Sequence, residues 1–386
     1  MASEWIPAFA AAEYGARVEA LRARMTSSGI DTLLVFAPEN VCYLAGYETI
    51  GFSSFQSLVV RPDELVLFIR EMERTVAETT CWIDQFETFA DSEDPGERLT
   101  ELLRRRGWLG TRIGIELEGG FVSAGAVDRL RAQLGAAVDA SGLVEAGRRI
   151  KSAAEVSLIR RACRVTEAGM AAALGAVRVG ATEDDVAAAA YGAMLGAGSD
   201  FFAGDPIVTS GWRSGVAHMT FGHRRLEAGD TVLVELGGCL RRYFGPLMRS
   251  AAIAPVRGEV HAMAATIIAA LDGAIGAIRP GATSGEVDAA CRAILEHAGY
   301  EAYFRKRTGY SVGVGFAPDW GEGHIASLRR DDPTPLVPGM VFHLPPALRV
   351  PRRYGLGWSE TVLVTEDGCE VLTRFPRSFH VVGGST

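Results

Sequence analysis

Four polar side chains in the C-terminal two-thirds of the chain can move protons or hold charge. His218 lies in the segment GVAHMTF, and an imidazole gains and loses a proton near neutral pH. Glu235 and Glu360 carry carboxylates, which accept charge-assisted hydrogen bonds from a protonated nitrogen. Tyr310, in GYSVG, can donate its hydroxyl to a developing anion or fill volume. Together these groups suit acid–base chemistry at a bond to nitrogen.

The elements that must position these groups form a repeating pattern. A hairpin is predicted over residues 231–255, and strands are predicted around SVGVG, MVFHL and SETVLV. Ser152 with Glu155 three residues later has the capping-box spacing that begins a long helix. From there a helix pair followed by strands occurs twice, at a spacing of about 100 residues. This pattern predicts a catalytic domain over residues 150–386.

The first third of the chain alternates helical and strand patterns. An amphipathic stretch runs from Ala10 to Ser28, and the apolar runs DTLLVFA, SFQSLVV and ELVLFIR follow it. Such alternation is typical of a layered α/β structure. It predicts a separate N-terminal domain over residues 1–147, which is an ordinary domain size.

Composition excludes several classes of partner. The net charge of −8 and pI near 5.5 argue against a nucleic-acid or anionic-membrane surface, since either needs a cationic footprint. No apolar run approaching the roughly 20 residues of a membrane span is expected. The alanine-rich start of the chain lacks a basic region and contains Glu13, Arg17 and Glu19, which is not typical of a signal peptide. We expect a cytoplasmic protein with a small-molecule ligand.

The string ELGGCLRRYFGPLMRS resembles the strand pair that carries two metal-binding aspartates in the pita-bread metallopeptidases, such as prolidase and aminopeptidase P. By that resemblance, this chain has replaced the five metal-ligand positions with Glu235, Pro246, Tyr310, Pro345 and Ser359. Hard divalent ions need several oxygen or imidazole donors in one place. The resemblance therefore implies the fold of a dinuclear hydrolase, an α/β (α+β) architecture, without metal and without another cofactor.

The same replacements resemble those of the metal-independent ectoine hydrolases. Those enzymes carry strings similar to ELGGCLRRYFGPLMRS, GYSVGVGFAPDWGE and GLGWSE of this chain. Creatinase, another metal-free relative, places its catalytic histidine at the point where His218 stands. The resemblance thus implies His218 as acid and base, Glu235 as nucleophile or cation anchor, and Glu360 and Tyr310 as electrostatic partners. His343 is a weaker candidate, and Glu235 paired structurally with an arginine is the alternative.

Five further residues are predicted to bind the substrate. Trp320 offers a flat wall for a planar ligand, or a packing anchor, and Glu322 offers another acceptor. Tyr243 and Arg249 lie in the metal-position strands, where scaffold pairing is the favoured alternative for Arg249. Phe52 lies in GYETIGFSSF, which corresponds to the substrate-contacting segment of creatinase but has Ser54 in place of its arginine. That segment also lacks the tryptophan of ectoine hydrolases, so the substrate is expected to differ from both creatine and ectoine.

These observations predict an enzyme that cleaves a non-peptide C–N bond of a small amidine, cyclic amide or guanidino compound. A cyclase or lyase of the same fold would use the same groups in reverse if its site excluded water. An Xaa-Pro metallopeptidase and a non-catalytic binding protein are the remaining alternatives. The resemblance also implies a homodimer.

Overall fold

The computed structural model describes residues 7–118, 121–135 and 137–383, which divide into two compact units, Met1–Arg148 and Arg149–Thr386. The break falls one residue beyond the predicted end of the first domain. Each unit has its own buried apolar cluster, as expected for separate domains.

The first unit is built on one mixed six-stranded sheet. Its strands are β1 (Thr32–Val35), β2 (Ser57–Val60), β3 (Leu65–Arg70), β4 (Phe86–Phe89), β5 (Ile113–Ile115) and β6 (Val138–Asp139). Their order is β4-β3-β2-β1-β5-β6. The described part of this unit also contains helices α1 (Ala11–Ser27), α2 (Pro38–Ala45), α3 (Arg74–Thr80), α4 (Pro95–Arg105), α5 (Ala124–Leu134) and α6 (Glu145–Arg148). The predicted α/β layers are present.

A buried carboxylate ties strand β5 to the start of helix α2. Glu116, which follows β5, accepts the backbone N–H groups of Phe36 and Ala37 at 2.8 and 2.7 Å and contacts the Asn40 amide. Burial, followed by the nearby charge of Glu145, raises the pKa of Glu116 to about 7. The Glu116 carboxyl group therefore holds its proton more tightly in the folded protein than in the unfolded chain.

We expect this difference to make the free energy of unfolding fall as pH rises. At pH 5 the unfolded chain has already released most of the Glu116 proton, whereas the folded protein releases it only as pH rises through about 7, so stability should drop by about 2 kcal/mol between pH 5 and 7.5. Urea unfolding of the wild type and Glu116→Gln at both pH values measures this effect, because other titrating groups contribute equally to the two proteins. Parallel stability profiles for the two proteins would contradict the assignment.

The second unit begins with a long helix that starts where the sequence predicts. Its helices are α7 (Ala153–Ala176), α8 (Glu183–Gly196), α9 (Gly258–Ala277) and α10 (Ser284–His297). Ser152 and Glu155 form the predicted capping box at the start of α7. Capping boxes also begin α8 at Thr182 and α10 at Thr283, each after the tripeptide Gly-Ala-Thr. The matching caps, 101 residues apart, mark the two halves of the predicted repeat.

Three sheets complete the second unit. Its strands are β7 (Ile207–Ser210), β8 (Thr231–Leu240), β9 (Tyr243–Ile253), β10 (Gly309–Ser311), β11 (Ser327–Leu328), β12 (Val341–Leu344), β13 (Ala347–Val350), β14 (Tyr354–Gly357), β15 (Glu360–Val364), β16 (Cys369–Val371) and β17 (His380–Val382). The sheet orders are β17-β9-β8-β7, β11-β10-β12-β15-β16 and β13-β14. Hairpin β8–β9 lies within the predicted range 231–255.

Helix α9 is more apolar than the sequence prediction allowed. By length and composition it could cross a membrane, which makes the expectation of no such stretch wrong. Its buried residues, however, belong to an apolar cluster shared with α10 and β12. These are Val260, Met263, Ala264, Ile267, Ala270, Leu271 and Ala274. A core helix satisfies the same length and composition criteria, so α9 is weak support for a membrane span.

Candidate active site

The pleat of hairpin β8–β9 separates a helix-facing side from a site-facing side. Successive side chains of a strand point to opposite faces. On the helix side, Gly245 lies against Cys163 of α7, and Gly238 donates its N–H to Thr166 at 2.8 Å. On the opposite side lie Glu235, paired with Met248 across the hairpin, and Gly237, paired with Pro246.

The second large sheet presents a matching face. Tyr310 of β10 pairs with His343 of β12, which pairs with Thr361 of β15, so the three share one side of their sheet. Thr361 donates its hydroxyl to the carbonyl of Pro246 at 2.8 Å, which brings this face against β9. The candidate site lies where the two faces meet.

Trp320, Tyr310 and His343 form a hydrogen-bonded chain in this site. The Trp320 Nε1–H donates to the Tyr310 hydroxyl oxygen at 3.0 Å, and the same oxygen lies 3.0 Å from His343 Nδ1. The Trp320 ring lies over Gly237, where a Cβ would be only 2.7 Å from the ring. Only glycine allows the indole so close to the strand that carries Glu235.

Burial fixes the protonation states of this chain. It raises the pKa of Tyr310, and the charge of Glu235 adds to the effect, so the phenol keeps its proton. Burial, then the charges of Lys306 and Arg249, lowers the pKa of His343 well below its usual range. His343 is therefore neutral at pH 7, and within the described residues its buried Nε2 has no hydrogen-bond partner. If Tyr310 donates to Nδ1, then Nε2–H is a donor free to meet a ligand or water.

Glu235 is the carboxylate at the centre of the site. Two cations that the sequence did not suggest, Lys306 and Arg349, lie within its electrostatic range. Glu235 is 7% exposed. Its negative charge acts on the pKa of Lys306, Tyr310 and Arg349, so all three side chains are within electrostatic range. Burial is the main cause that lowers the pKa of Arg349, and Glu235 opposes that effect. The site therefore combines one carboxylate with more than one positive charge.

Arg349 connects this region to the segment that carries His218. Its Nη1 donates to the carbonyls of Ser214 and Val216 at 2.8 and 3.0 Å. His218 follows two residues later, with an exposed side chain and a φ of 56°. Arg349 thus anchors the His218 segment to strand β13, while the proton-transfer role of His218 stays a prediction.

Two of the predicted site residues are fully engaged in a structural ion pair. Arg249 uses all five of its N–H donors, on the carbonyls of Met248, Ser359, Phe375 and Pro376 and on Glu360. Glu360, 1% exposed, also accepts from Arg377 at 2.8 Å and contacts Thr373. These contacts favour the scaffold alternative for Arg249, and the predicted roles of Arg249 and Glu360 towards a substrate stay predictions.

Glu322 and Tyr243 are also committed to scaffold contacts. Glu322 forms a buried ion pair with Lys151 at 2.7 Å, in which both side chains are 1% exposed. Tyr243 lies on the helix side of β9 and donates its hydroxyl to Glu155 of α7 at 3.0 Å. These contacts favour scaffold roles for both residues, and their predicted substrate contacts stay predictions. Phe52 lies in the first unit, with its ring 6.2 Å from that of Phe121, and its role stays a prediction.

Two family models match the chain. Residues 17–150 match the creatinase/prolidase N-terminal domain, and residues 157–366 match metallopeptidase family M24. The chain belongs to metallopeptidase family M24. Membership confirms the predicted architecture of a creatinase-type domain followed by a pita-bread domain, and it places the chain among hydrolases.

Relatives within family M24 carry different names. The chain is 29% identical to ectoine hydrolase of Halomonas elongata, over 97% of this chain and 98% of that protein. It is 31% identical to an uncharacterized hydrolase/peptidase, y4tM, of Sinorhizobium fredii, with the same coverage. It is also 27% identical to an Xaa-Pro dipeptidase of Pyrococcus furiosus, over 94% of this chain and 98% of the other.

Solved structures of M24 proteins share the fold over nearly the whole chain. Dipeptidase PepE from Mycobacterium ulcerans matches with a TM-score of 0.83 and 26% identity, covering 97% of this chain and 99% of that one. Prolidase from Pyrococcus furiosus matches with a TM-score of 0.80 and 27% identity, covering 92% and 99%.

The residues of this site do not fit a pair of divalent ions. Pro246 and Pro345 have no side-chain donor, and the hydroxyl of Tyr310 is shared between Trp320 and His343. Hard cations take several oxygen or imidazole ligands. Across the described ranges, no group of three or more His, Cys, Asp or Glu is placed to hold a metal ion. Positive side chains beside Glu235 would also repel such ions.

Proposed function

We propose that this M24 protein is a metal-independent hydrolase that cleaves a non-peptide C–N bond. Its substrate would be a small amidine, a cyclic amidine or amide, or a guanidino amino-acid derivative. The observation that carries the proposal is the residue set between the two sheets: one carboxylate, a protonated phenol, a neutral imidazole and side-chain cations. The similarity to ectoine hydrolase along the whole chain supports the same reading.

Each group has a part in the proposed reaction. Glu235 pairs with the protonated nitrogens of the substrate, because a carboxylate accepts their hydrogen bonds with favourable charge. His218 takes a proton from the attacking water. Trp320 provides a flat wall beside Glu235. Tyr310 donates its hydroxyl to His343 Nδ1, and the Nε2–H of His343 then donates to the oxygen that becomes negative at the tetrahedral carbon.

Chelation tests this proposal against the metal-dependent alternative, which the Xaa-Pro dipeptidase relatives favour. We expect protein dialysed against EDTA to turn over members of a panel of cyclic amidines and guanidino acids, with kcat unchanged by added Mn²⁺, Co²⁺ or Zn²⁺. The same samples should leave Xaa-Pro dipeptides intact. Stoichiometric metal together with metal-stimulated dipeptide cleavage would establish the dipeptidase instead.

Labelled water separates hydrolysis from ring closure or elimination by the same groups. A hydrolase incorporates one heavy oxygen into the carbonyl product when the reaction runs in ¹⁸O-water. A cyclase or lyase releases product without the label, because no water oxygen enters the bond. Unlabelled product from an active enzyme would replace the hydrolase with that second reaction class.

A further inference from the structure

Arg349 is a partly buried cation without a counter-ion. Its Nη1 donates to the carbonyls of Ser214 and Val216 at 2.8 and 3.0 Å, which fixes the plane of the guanidinium. Across the described residues, no carboxylate forms an ion pair with Arg349, and its Nε and Nη2 donors have no hydrogen bond. A cation that is taken out of water without a partner loses free energy of solvation. Arg349 is therefore fixed in position with one edge of its guanidinium available to an anion.

The alternation of strand β13 places Arg349 on the side that faces the site. Ala347, two residues earlier and on the same side of the strand, packs against Leu233 of β8 and Met248 of β9. Met248 is the residue paired with Glu235 across the hairpin. Glu235 and Arg349 are within electrostatic range of each other, yet they form no ion pair. Two opposite charges thus lie on packed elements, and each is open to a substrate group.

A buried hydroxyl without a partner lies on the same side of the neighbouring strand. Thr209 of β7 pairs with Leu233 of β8, so both side chains point to the site side. Ser210, the next residue, points the other way, and its hydroxyl donates to Glu183 at 2.8 Å. Thr209 is 0% exposed, and within the described residues its Oγ1 has no hydrogen-bond partner. Because buried hydroxyls nearly always have a partner, this one points to a ligand.

The chain itself brings Thr209 towards Arg349. Strand β7 continues directly into the 3₁₀ turn Gly211–Gly215, and this turn carries the Ser214 carbonyl that Arg349 binds. Gly355, the partner of Arg349 on β14, donates its N–H to Ser214 Oγ at 2.8 Å. A Cβ at position 355 would overlap the Ser214 carbonyl, so only glycine allows this approach. The end of β7 is therefore held against the hairpin that carries Arg349.

We propose that Arg349 and Thr209 bind a carboxylate of the substrate. The inference rests on the proposed C–N hydrolysis at Glu235. A planar carboxylate accepts two parallel hydrogen bonds from a guanidinium, here from Nε and Nη2, and the Thr209 hydroxyl donates a third. Glu235 holds the protonated nitrogen elsewhere in the same molecule. The substrate is then an amidine or guanidino acid that carries both charges, rather than a simple amidinium.

Matched pairs of ligands test this assignment. Each pair contains an amidine or guanidino acid and its carboxamide, which keeps the shape but loses the negative charge. We expect Arg349→Gln to raise KM for the acids by roughly 30- to 1,000-fold and KM for the carboxamides by less than about 3-fold. A role limited to anchoring the His218 segment would affect both members of a pair equally. Arg353→Gln, at an exposed position between β13 and β14, is the matched control and should change neither.

Thr209→Val tests the second donor separately. Valine keeps the shape of threonine, and the hydroxyl that it removes has no partner within the described residues. The free energy of unfolding of the ligand-free protein should therefore not fall, whereas KM for the acids should rise by about 3- to 10-fold. KM for the carboxamides should stay at the wild-type value. A loss of stability with unchanged KM would show a purely structural hydroxyl and remove Thr209 from the inference.

The outcomes separate this inference from the proposed function. If the wild type cleaves acids and carboxamides equally well, or if Arg349→Gln raises both KM values alike, the inference is overturned while C–N hydrolysis stays. If the wild type cleaves neither, calorimetric binding of the same pairs decides. Acid-selective binding that Arg349→Gln abolishes supports the carboxylate site without the hydrolysis, and binding that is absent or unselective overturns both.

Arg349→Lys provides a second variant in case Arg349→Gln does not fold. Lysine keeps the positive charge but loses the paired donors of the guanidinium, so KM for the acids should rise by about 10-fold. An unchanged acid KM in Arg349→Lys would contradict the proposed pair of hydrogen bonds.

Discussion

Glu235→Gln is expected to lower kcat by about 100- to 1,000-fold, the usual cost of removing one charge-stabilising group from an active site. The amide keeps the shape of the carboxylate but loses the charge that pairs with a protonated substrate nitrogen.

Steady-state kinetics of Glu235→Gln and the wild type measure this fall in kcat. The matched control is Glu227→Gln, a change of the same kind at an exposed position just before strand β8, which should leave kcat unchanged. Urea unfolding of both variants separates an active-site effect from a folding defect. Equal kcat for Glu235→Gln and the wild type would remove Glu235 from the mechanism, and with it the main argument for cation recognition.

The second large effect concerns stability. Lys151→Met should lower the free energy of unfolding by about 3–5 kcal/mol, because it removes the ammonium group that pairs with the buried carboxylate of Glu322. Both side chains of this pair are 1% exposed, and Ser311 lies 3.3 Å from the same Glu322 oxygen. Glu322 follows Trp320 by two residues, so the loop that carries the indole should loosen as well.

Urea unfolding of Lys151→Met and of the double variant Lys151→Met/Glu322→Gln tests this expectation. The double variant should regain part of the loss, since an uncharged amide costs less to bury than a carboxylate that has lost its ammonium partner. Arg353→Met breaks an exposed ion pair with Glu259 at 2.8 Å and should cost no more than about 1 kcal/mol. A Lys151→Met cost as small as that of Arg353→Met would show that the buried pair contributes little.

Local patterns in the sequence predicted the elements well. The capping box at Ser152, the hairpin over residues 231–255 and the repeat of helix pairs all depend on neighbouring residues. The fold family, too, could be recognised from short strings. Those strings placed Glu235, Tyr310 and Trp320 on elements that the structure brings together.

Contacts between distant residues could not be predicted in the same way. Whether Arg249 and Glu360 meet a substrate or each other depends on the approach of β9 and β15, which are more than 100 residues apart. Lys306 and Arg349 join Glu235 only through sheet packing, and no local motif marks them. From the sequence alone His343 is only a weak candidate for the site, because its hydrogen bond to Tyr310 depends on the register of strands β10 and β12.

The alternating pleat of hairpin β8–β9 has an evolutionary consequence. On β9, residues 246 and 248 lie on the site side, while 243, 245 and 249 secure the strand to helix α7 and to the C-terminal segment. Adjacent positions therefore meet different requirements, one for chemistry and the next for folding. A metal ligand on the site side can be exchanged for proline while the other side keeps the hairpin in place. New reactions can arise on this scaffold without passing through an unfolded ancestor.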